Sequence, residues 1–115
     1  MEKLYVENGR LMAGGAPLLL RGFGLGGWLL PEGYMWKFYT KCDRPRRIEA
    51  LIEELCGAEY AASFWERYYD SYITEADIRL AAENGFNSVR LPFNARHLRE
   101  PGYLRRIDDC VRWCG

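Results

Sequence analysis

The chain has 115 residues, enough for one small domain, and its hydrophobic fraction of 49% argues against disorder. Its 16 acidic and 16 basic residues balance and are well mixed, which argues against a nucleic-acid binder with a basic stripe. No run approaches the ~20 apolar residues that span a bilayer. The N-terminal stretch MEKLYVENGR also lacks the apolar segment of a signal peptide. We therefore expect no nucleic-acid or membrane partner and a cytoplasmic location with reduced thiols.

The chain is predicted to begin with a hairpin and a strand. Asn8-Gly9 tolerates positive φ and is flanked by apolar residues, so residues Leu4 to Met12 predict a β-hairpin. Leu18 to Arg21 then predict a buried strand that opens into the glycine-rich stretch RGFGLGGWLLPEGYMW, residues 21–36.

Two helices are predicted next. The first has Asp43 or Arg44 as its cap, Pro45 in its first turn and Gly57 at its end. Its apolar stripe consists of Ile48, Leu51, Ile52 and Leu55. The second covers residues 59–72, with an aromatic stripe of Phe64, Trp65, Tyr68 and Tyr72.

The segment ITEADIRLAAENGFNSVRLPFN predicts a helix followed by a strand. Thr74 and Asp77 form a capping-box pattern, Gly85 ends the helix, and Phe86 to Leu91 form the strand before Pro92. The predicted buried face of this helix is Ile78, Ala81 and Ala82.

A last helix, residues 101–115, is predicted to bury Leu104, Ile107, Val111 and Cys114. The order of strand, helices, strand and helix is typical of an α/β fold. Two parallel strands leave both sheet edges bare, so we expect residues 1–115 to be the N-terminal fragment of a larger domain. Cys110 and Cys114 lie four apart on one helix, and small buried hydrophobes are the favoured interpretation over a shared metal.

Two motifs carry a family resemblance. LLLRGFGLGGWLLPEGY and YITEADIRLAAENGFNSVRLPFN, in that order, resemble the N-terminal part of glycoside hydrolase family 5, a cellulase-like family of (β/α)8 barrels, and most closely its exo-β-1,3-glucanase branch. Gly24 stands where that branch usually has Asn. The resemblance implies a partial (β/α)8 TIM barrel, made of the hairpin and the first two βα units, with strands at Leu18 to Gly22 and Ser88 to Pro92.

In such barrels, active-site groups lie at the C-terminal ends of the strands and in the βα loops. By resemblance, Arg90 is the arginine that keeps the nucleophilic Glu ionised and oriented, although an arginine at a strand end can also be solvated or paired structurally. Glu32 would bind sugar hydroxyls in the first subsite, with a solvated charge as the alternative. Trp28 and Trp36 would stack on sugars or pack within the loop. Asn94 is a weaker candidate for a substrate contact.

His97, the only histidine, is expected to be a surface residue, because the family's histidines follow later strands. The resemblance implies a retaining mechanism with two Glu residues, on the fourth and seventh strands, that act on β-linked glucans or related β-glycosides. No Glu of this chain fills either role, so we expect no catalytic residue here, no cofactor and no metal. The chain alone should be inactive and should need the missing C-terminal barrel segment for a stable fold. The alternative function is a non-catalytic carbohydrate-binding or degenerate fragment.

Overall fold

The computed structural model describes residues 3–38 and 41–115, which form a mixed α/β structure. The strands are β1 (Leu4–Glu7), β2 (Arg10–Ala13), β3 (Ala16–Pro17), β4 (Gly22–Gly24) and β5 (Ser88–Arg90). The helices are α1 (Pro45–Cys56), α2 (Ala58–Ser71), α3 (Glu75–Glu83) and α4 (Pro101–Cys114), with a short 3₁₀ turn at Ala95–His97. Strands β1, β2 and β3 form an antiparallel sheet, and β4 pairs in parallel with β5.

The predicted hairpin is confirmed. Asn8 and Gly9 both have positive φ, 49° and 73°, and connect β1 to β2. The sequence analysis missed the third strand, β3, which follows a second tight turn at Gly14 and Gly15, with φ of 55° and 80°.

The first strand of the parallel pair begins later than predicted. Leu18 to Arg21 are not in a strand, and β4 starts at Gly22. The side chain of Asn87 accounts for this difference, because its Oδ1 accepts from Arg21 N (2.7 Å) and its Nδ2 donates to Leu19 O (2.9 Å). An amide side chain thus bonds the backbone where a neighbouring strand would otherwise pair.

The second strand is shorter than predicted, since β5 covers only Ser88–Arg90. Phe86 lies after α3 and before β5, and its N–H donates to Ala81 O in the last turn of the helix at 3.1 Å. Leu91 and Pro92 lie outside the strand. Gly85 has the predicted left-handed φ, 83°.

The capping predictions are confirmed. Arg44 is the N-cap of α1, Pro45 is its first residue, and Gly57 is its C-cap. The capping box at the start of α3 is also present, with Asp77 Oδ2 accepting from Thr74 N at 2.8 Å. These signals are local, and the structure follows them.

The buried faces of the helices differ in part from the predicted stripes. On α1, Ile48 is fully buried, whereas Leu55 is exposed. On α3, Ile78 is buried and Ala82 is exposed. On α2, Tyr69 is the buried aromatic, while the predicted Phe64, Trp65 and Tyr68 are half-buried and Tyr72 is exposed.

Helix α4 buries a different face from the one predicted. Its buried residues are Tyr103, Arg106 and Cys110, whereas Leu104, Val111 and Cys114 are exposed. The apolar pattern predicted the wrong face because Arg106 counts as polar in such a pattern. Its guanidinium is nevertheless buried, with Nη2 2.7 Å from Glu66 Oε2 and 2.8 Å from Asp70 Oδ1, both on α2. Burial disfavours the charge of Arg106, but these two bonds outweigh that effect and raise its pKa.

One core cluster lies between the βα loops and the helices. It consists of Leu25, Trp28, Leu29, Tyr69, Ile78, Tyr103 and Cys110. The pKa of the Cys110 thiol is raised to about 11, mainly because the thiol is buried and to a smaller extent because of the neighbouring Cys114. This cysteine therefore behaves as a small hydrophobe.

The molecule is elongated and leaves apolar surface open. Its radius of gyration is 17.1 Å, whereas a compact chain of this length would have about 13 Å. An open groove of about 490 Å³ runs between α3, α4 and the parallel pair, and is lined by Leu18, Leu20, Ile78, Phe86, Val89 and Val111. In the described residues, no helix is long and apolar enough to cross a membrane.

Candidate functional site

The C-terminal ends of β4 and β5 lie side by side. The parallel register pairs Gly22 with Ser88 and Gly24 with Arg90, and an isolated bridge between Leu29 and Phe93 continues the contact beyond the strands. The two loops that follow the strands are therefore neighbours. The residues that the sequence analysis identified as candidates for the site lie at this edge of the parallel pair.

The two faces of this pair differ in chemistry. Because side chains alternate along a strand, Phe23 and Val89 share one face, and Val89 packs against the core cluster. The opposite face is formed by two glycines, Gly22 and Gly24, together with Ser88 and Arg90. The face that carries the predicted active-site arginine therefore has two positions without a side chain and two with polar side chains.

Aromatic residues anchor the glycine-rich loop. Trp28 Nε1 donates to Tyr69 O at 2.8 Å, and the Tyr68 hydroxyl donates to Gly27 O. Gly27 has a φ of 77°, which an L side chain rarely adopts, so the glycine is required there. Burial raises the pKa of Tyr68 to about 12, which keeps its hydroxyl protonated as a donor.

Tyr103 joins both loops to α4. Its buried hydroxyl donates to Leu29 O in the first loop and accepts from Asn94 N in the second, the latter at 2.8 Å. Burial raises the pKa of this hydroxyl as well. One side chain therefore sets the spacing of the two loops, a role that no local sequence pattern indicated.

Trp28 is a core residue. It is fully buried, stacks on Trp113 at a centroid distance of 6.3 Å, and uses its indole N–H within the protein. Neither face of its ring is open to a sugar. Of the two interpretations of Trp28, the structure supports packing and not substrate stacking.

Trp36 belongs to a half-buried aromatic cluster. Its ring lies 5.2 Å from that of Tyr68 and 5.6 Å from that of Trp65, measured between centroids. Its backbone N–H donates to Glu32 O at 3.2 Å, which places it in the turn that follows Glu32. Because it is only partly buried, some of the ring stays accessible.

Arg90 ends β5, and its side chain crosses the partner strand. An ideal Cβ built on Gly24 would lie 2.8 Å from Arg90 Nη2, so the guanidinium occupies the space a side chain at residue 24 would fill. Among residues 3–38 and 41–115, no carboxylate oxygen lies within 4.0 Å of the Arg90 guanidinium. The residue is exposed, and its charge is available to a group outside this set.

Glu32 lies in the loop that follows β4 and is half-buried. Its Oε1 lies 3.4 Å from the position of an ideal Cβ on Gly26, so the carboxylate rests against bare backbone. Within the part of the chain that the structure describes, no cation forms an ion pair with Glu32.

Asn94 caps the 3₁₀ turn of the second loop. Its Oδ1 accepts from Arg96 N at 3.2 Å, and its own N–H is bonded to Tyr103. The side-chain oxygen therefore has a structural partner. With respect to the described residues, the amide NH₂ group and the second lone pair of Oδ1 are left for a further contact.

His97 corrects another expectation, because it is not a simple surface residue. Its Nδ1 lies 2.7 Å from Glu100 Oε1 and its Nε2 lies 3.1 Å from Glu49 Oε1, and Glu49 is also bonded by Arg96. In this cluster His97 and Glu49 are half-buried and Arg96 and Glu100 are exposed, and the cluster joins the second loop to α1. Among the described residues, no group of three His, Cys, Asp or Glu side chains has the arrangement of a metal site.

Comparison with known proteins identifies relatives along this sequence. Over 108 residues it is 34% identical to a protein named beta-xylosidase from Phanerodontia chrysosporium. The aligned residues cover 87% of this chain and 22% of that protein. It is 33% identical over 102 residues to a probable glucan 1,3-beta-glucosidase A from Emericella nidulans, covering 82% and 25%. Over 60 residues it is 42% identical to endoglucanase C of Acetivibrio thermocellus, covering 44% and 17%. All three relatives have names of glycoside hydrolases, and the chain is therefore similar to the corresponding part of a cellulase-like family of glycoside hydrolases.

The chain spans about a quarter of the length of the first two of these glycoside hydrolases. No family model matches it, and no solved structure matches it significantly. The similarity to glycoside hydrolases therefore rests on the named relatives.

Proposed function

We propose that the protein is a retaining glycoside hydrolase of family 5 that acts on β-linked glucans or related β-glycosides. In this proposal, residues 1–115 are the first two βα units of a (β/α)8 barrel, and the catalytic Glu pair lies in a segment beyond them. The names of the relatives, a beta-xylosidase, glucan 1,3-beta-glucosidases and endoglucanases, support a β-glycoside as substrate.

The observation that carries the proposal is the position of Arg90. It stands at the C-terminal end of a parallel strand, on the small, polar face of the pair, with no carboxylate within ion-pair distance among the described residues. A cation in this position can stabilise the ionised form of a carboxylate from a neighbouring strand, which a retaining nucleophile requires.

Glu32 and Trp36 complete the proposed sugar subsite in the first βα loop. A carboxylate can accept hydrogen bonds from two sugar hydroxyls, and a partly accessible indole can cover an apolar sugar face. Asn94 would contribute its amide NH₂ group and the second lone pair of its side-chain oxygen. Trp28 supports the subsite from beneath and does not touch the sugar.

The test uses the protein at its natural length and compares Arg90→Ala with Arg79→Ala. Arg79 is an exposed arginine on α3 that pairs with Glu75, so its removal controls for general loss of charge. We expect Arg90→Ala to lower kcat on a β-glucoside or β-xyloside by about 10²-fold, as for removal of one electrostatic group from an active site. Unchanged turnover in Arg90→Ala would overturn the role of Arg90.

Two further measurements complete the test. Product anomers followed by NMR from the start of the reaction should show retention, and inversion would contradict the two-Glu mechanism. Glu32→Gln should reduce kcat/KM by about tenfold or more, because a charged hydrogen bond contributes about 1.5–3 kcal/mol. The 115-residue chain alone should not hydrolyse these substrates.

The second candidate function is a non-catalytic carbohydrate-binding or degenerate fragment, and the half-buried aromatic cluster around Trp36 favours it. Titration of the natural-length protein with an oligosaccharide separates the two. Saturable binding without any hydrolysis would support this candidate over the enzyme.

A further inference from the structure

His97 has a carboxylate at each nitrogen of its ring. Its Nδ1 lies 2.7 Å from Glu100 Oε1, and its Nε2 lies 3.1 Å from Glu49 Oε1. Glu100 is the N-cap of α4, whereas Glu49 belongs to α1 and lies 48 residues earlier in the chain. The side chains of His97 and Glu49 are only 19% and 21% exposed. One histidine ring therefore connects the second loop, which follows β5, to two helices.

The protonation of the ring decides which of these contacts can be hydrogen bonds. A neutral imidazole has one N–H donor and one acceptor, whereas an imidazolium donates from both nitrogens. Because an ionised carboxylate only accepts, the ring can donate to Glu49 and Glu100 together only as an imidazolium. A neutral ring that donates from Nδ1 to Glu100 turns the lone pair of Nε2 toward Glu49. The partner that remains for Nε2 is then Arg96, whose Nη2 lies 3.3 Å away.

The other groups around the ring come from α1, α4, α2 and the loop itself. Glu49 faces it from α1, Arg96 and Glu100 from the loop, and Tyr103 from α4 at a centroid distance of 5.2 Å. Tyr69 of α2 packs on Tyr103 at 5.6 Å. Burial raises the pKa of both tyrosines, so they stay neutral. Among the described residues, two carboxylates and one guanidinium face the ring, and a positively charged ring makes this cluster neutral.

The backbone connects His97 to the candidate site. His97 ends the 3₁₀ turn at Ala95–His97, and its N–H donates to Asn94 O at 3.0 Å. The N–H of Asn94 is in turn bonded to the Tyr103 hydroxyl at 2.8 Å. The N–H of Glu100 donates to His97 O at 2.9 Å. A contact that fixes the His97 ring against α1 therefore also fixes the turn that carries Asn94.

We propose that His97 is a positioning residue for the second loop and that it acts as an imidazolium. In this form its ring bridges Glu49 and Glu100, and the bridge holds the turn that carries Asn94 against α1. Loss of the ring proton removes the bond to Glu49 and leaves Nε2 to Arg96, which loosens the turn. Histidine ordinarily changes its charge between about pH 5 and 8, so the turn is held more tightly at pH 6 than at pH 8. The consequence for the substrate rests on the proposed function, in which Asn94 contacts the sugar.

Hydrogen exchange of the protein at its natural length tests the bridge without reference to activity. The reporters are the amides of His97 and Glu100, which are bonded within the turn. After correction for the intrinsic pH dependence of exchange, we expect protection at pH 6 to exceed protection at pH 8 by about fivefold, as for the gain of one hydrogen bond. His97→Gln does not titrate in this range and should show equal protection at both pH values.

Two carboxylate variants on α1 test the partner of the ring. In Glu49→Gln the amide can accept from a protonated ring or donate to a neutral one, so the pH response should fall below about twofold. Glu53→Gln is the matched control, because it removes an exposed carboxylate from the same helix. This control should keep the full pH response.

Kinetics then test the consequence for the substrate. The ratio of KM at pH 8 to KM at pH 6 on a β-glucoside should be about two- to fivefold larger in the starting protein than in His97→Gln. The reason is that only the starting protein loosens the turn as the pH rises, whereas other titrating groups of the enzyme act equally in both.

Three results of hydrogen exchange would overturn the proposal: equal protection at both pH values in the starting protein, a full pH response in His97→Gln, or an equal loss of the response in Glu49→Gln and Glu53→Gln. If His97→Gln does not fold, the two carboxylate variants decide the question. Equal KM ratios alongside a pH-dependent turn would overturn the role of the bridge in substrate binding. A natural-length protein without hydrolytic activity would contradict the proposed function, and hydrogen exchange would still decide whether His97 positions the turn.

Discussion

The two ends of the parallel pair differ in how completely they are built. At the loop end, which comprises Leu25 to Leu30 and the residues that anchor them, Trp28 and Leu29 are fully buried and the backbone is bonded by Tyr68 and Tyr103. At the hairpin end, which comprises β1 and Leu18 to Leu20, Val6 and Leu19 are about 70% exposed. The end that carries the candidate site is therefore supported by the chain's own residues, whereas the hairpin end leaves apolar side chains exposed among the described residues.

Trp28→Ala should break the loop end and have the largest effect on stability. It deletes a fully buried ring and the hydrogen bond to Tyr69 O, so it should lower the free energy of unfolding by about 3–5 kcal/mol. The measurement is urea unfolding of the protein at its natural length. Trp36→Ala is the matched control, and an equal loss in that variant would contradict the comparison.

Tyr103→Phe should loosen the loop end without opening a cavity. The change leaves Leu29 O and Asn94 N without their shared partner, at a cost of about 1–3 kcal/mol. Hydrogen exchange of the Asn94 amide should accelerate. Tyr60→Phe, which removes an exposed hydroxyl, should change neither quantity, and unaltered exchange in Tyr103→Phe would rule out the bridging role.

High pH should weaken the loop end before the rest of the molecule. The pKa of Tyr68 is raised to about 12 in the folded chain, against about 10 when unfolded, so its contribution to stability is complete below pH 10 and is lost as the pH rises toward 12. Tyr68→Phe should flatten the fall in melting temperature over this range. Because Tyr68 is half-buried, solvent screening keeps the effect moderate, and an identical fall in the variant would contradict it.

Leu19→Ala should have the smallest effect when it is made in the isolated 115-residue chain, because Leu19 is an exposed residue of the hairpin end there. Sedimentation of this chain should detect self-association through the open groove, which Leu20→Lys should reduce and Leu19→Ala should leave nearly unchanged. A monomeric isolated chain with one cooperative unfolding transition would show that the hairpin end needs no partner.

The sequence was sufficient wherever a few neighbouring residues decide the structure. The Asn8-Gly9 turn and the Thr74 capping box are local, and both were predicted correctly. The start of β4 was predicted wrongly, because it depends on a hydrogen bond with the side chain of Asn87, which is 66 residues away from Arg21. The buried face of α4 was missed because the burial of Arg106 depends on carboxylates of α2.

The candidate site shows the same division. Arg90, Glu32 and Asn94 could be located at loop and strand ends from motifs alone. The motifs could not show whether Trp28 faces a sugar or the core, because that depends on Tyr69 and Trp113, which are both distant in sequence. The space above Gly24 also requires the register of β4 with β5, which no single motif contains.

The hydroxyl of Tyr103 also sets an order of events during synthesis. The carbonyl it bonds belongs to Leu29, 74 residues earlier in the chain. At translation rates of about 5–20 residues per second, the first loop waits roughly 4–15 s for this partner to be made. During that interval the Leu29 carbonyl cannot form this bond, so the first loop reaches its final arrangement only after α4 has been made.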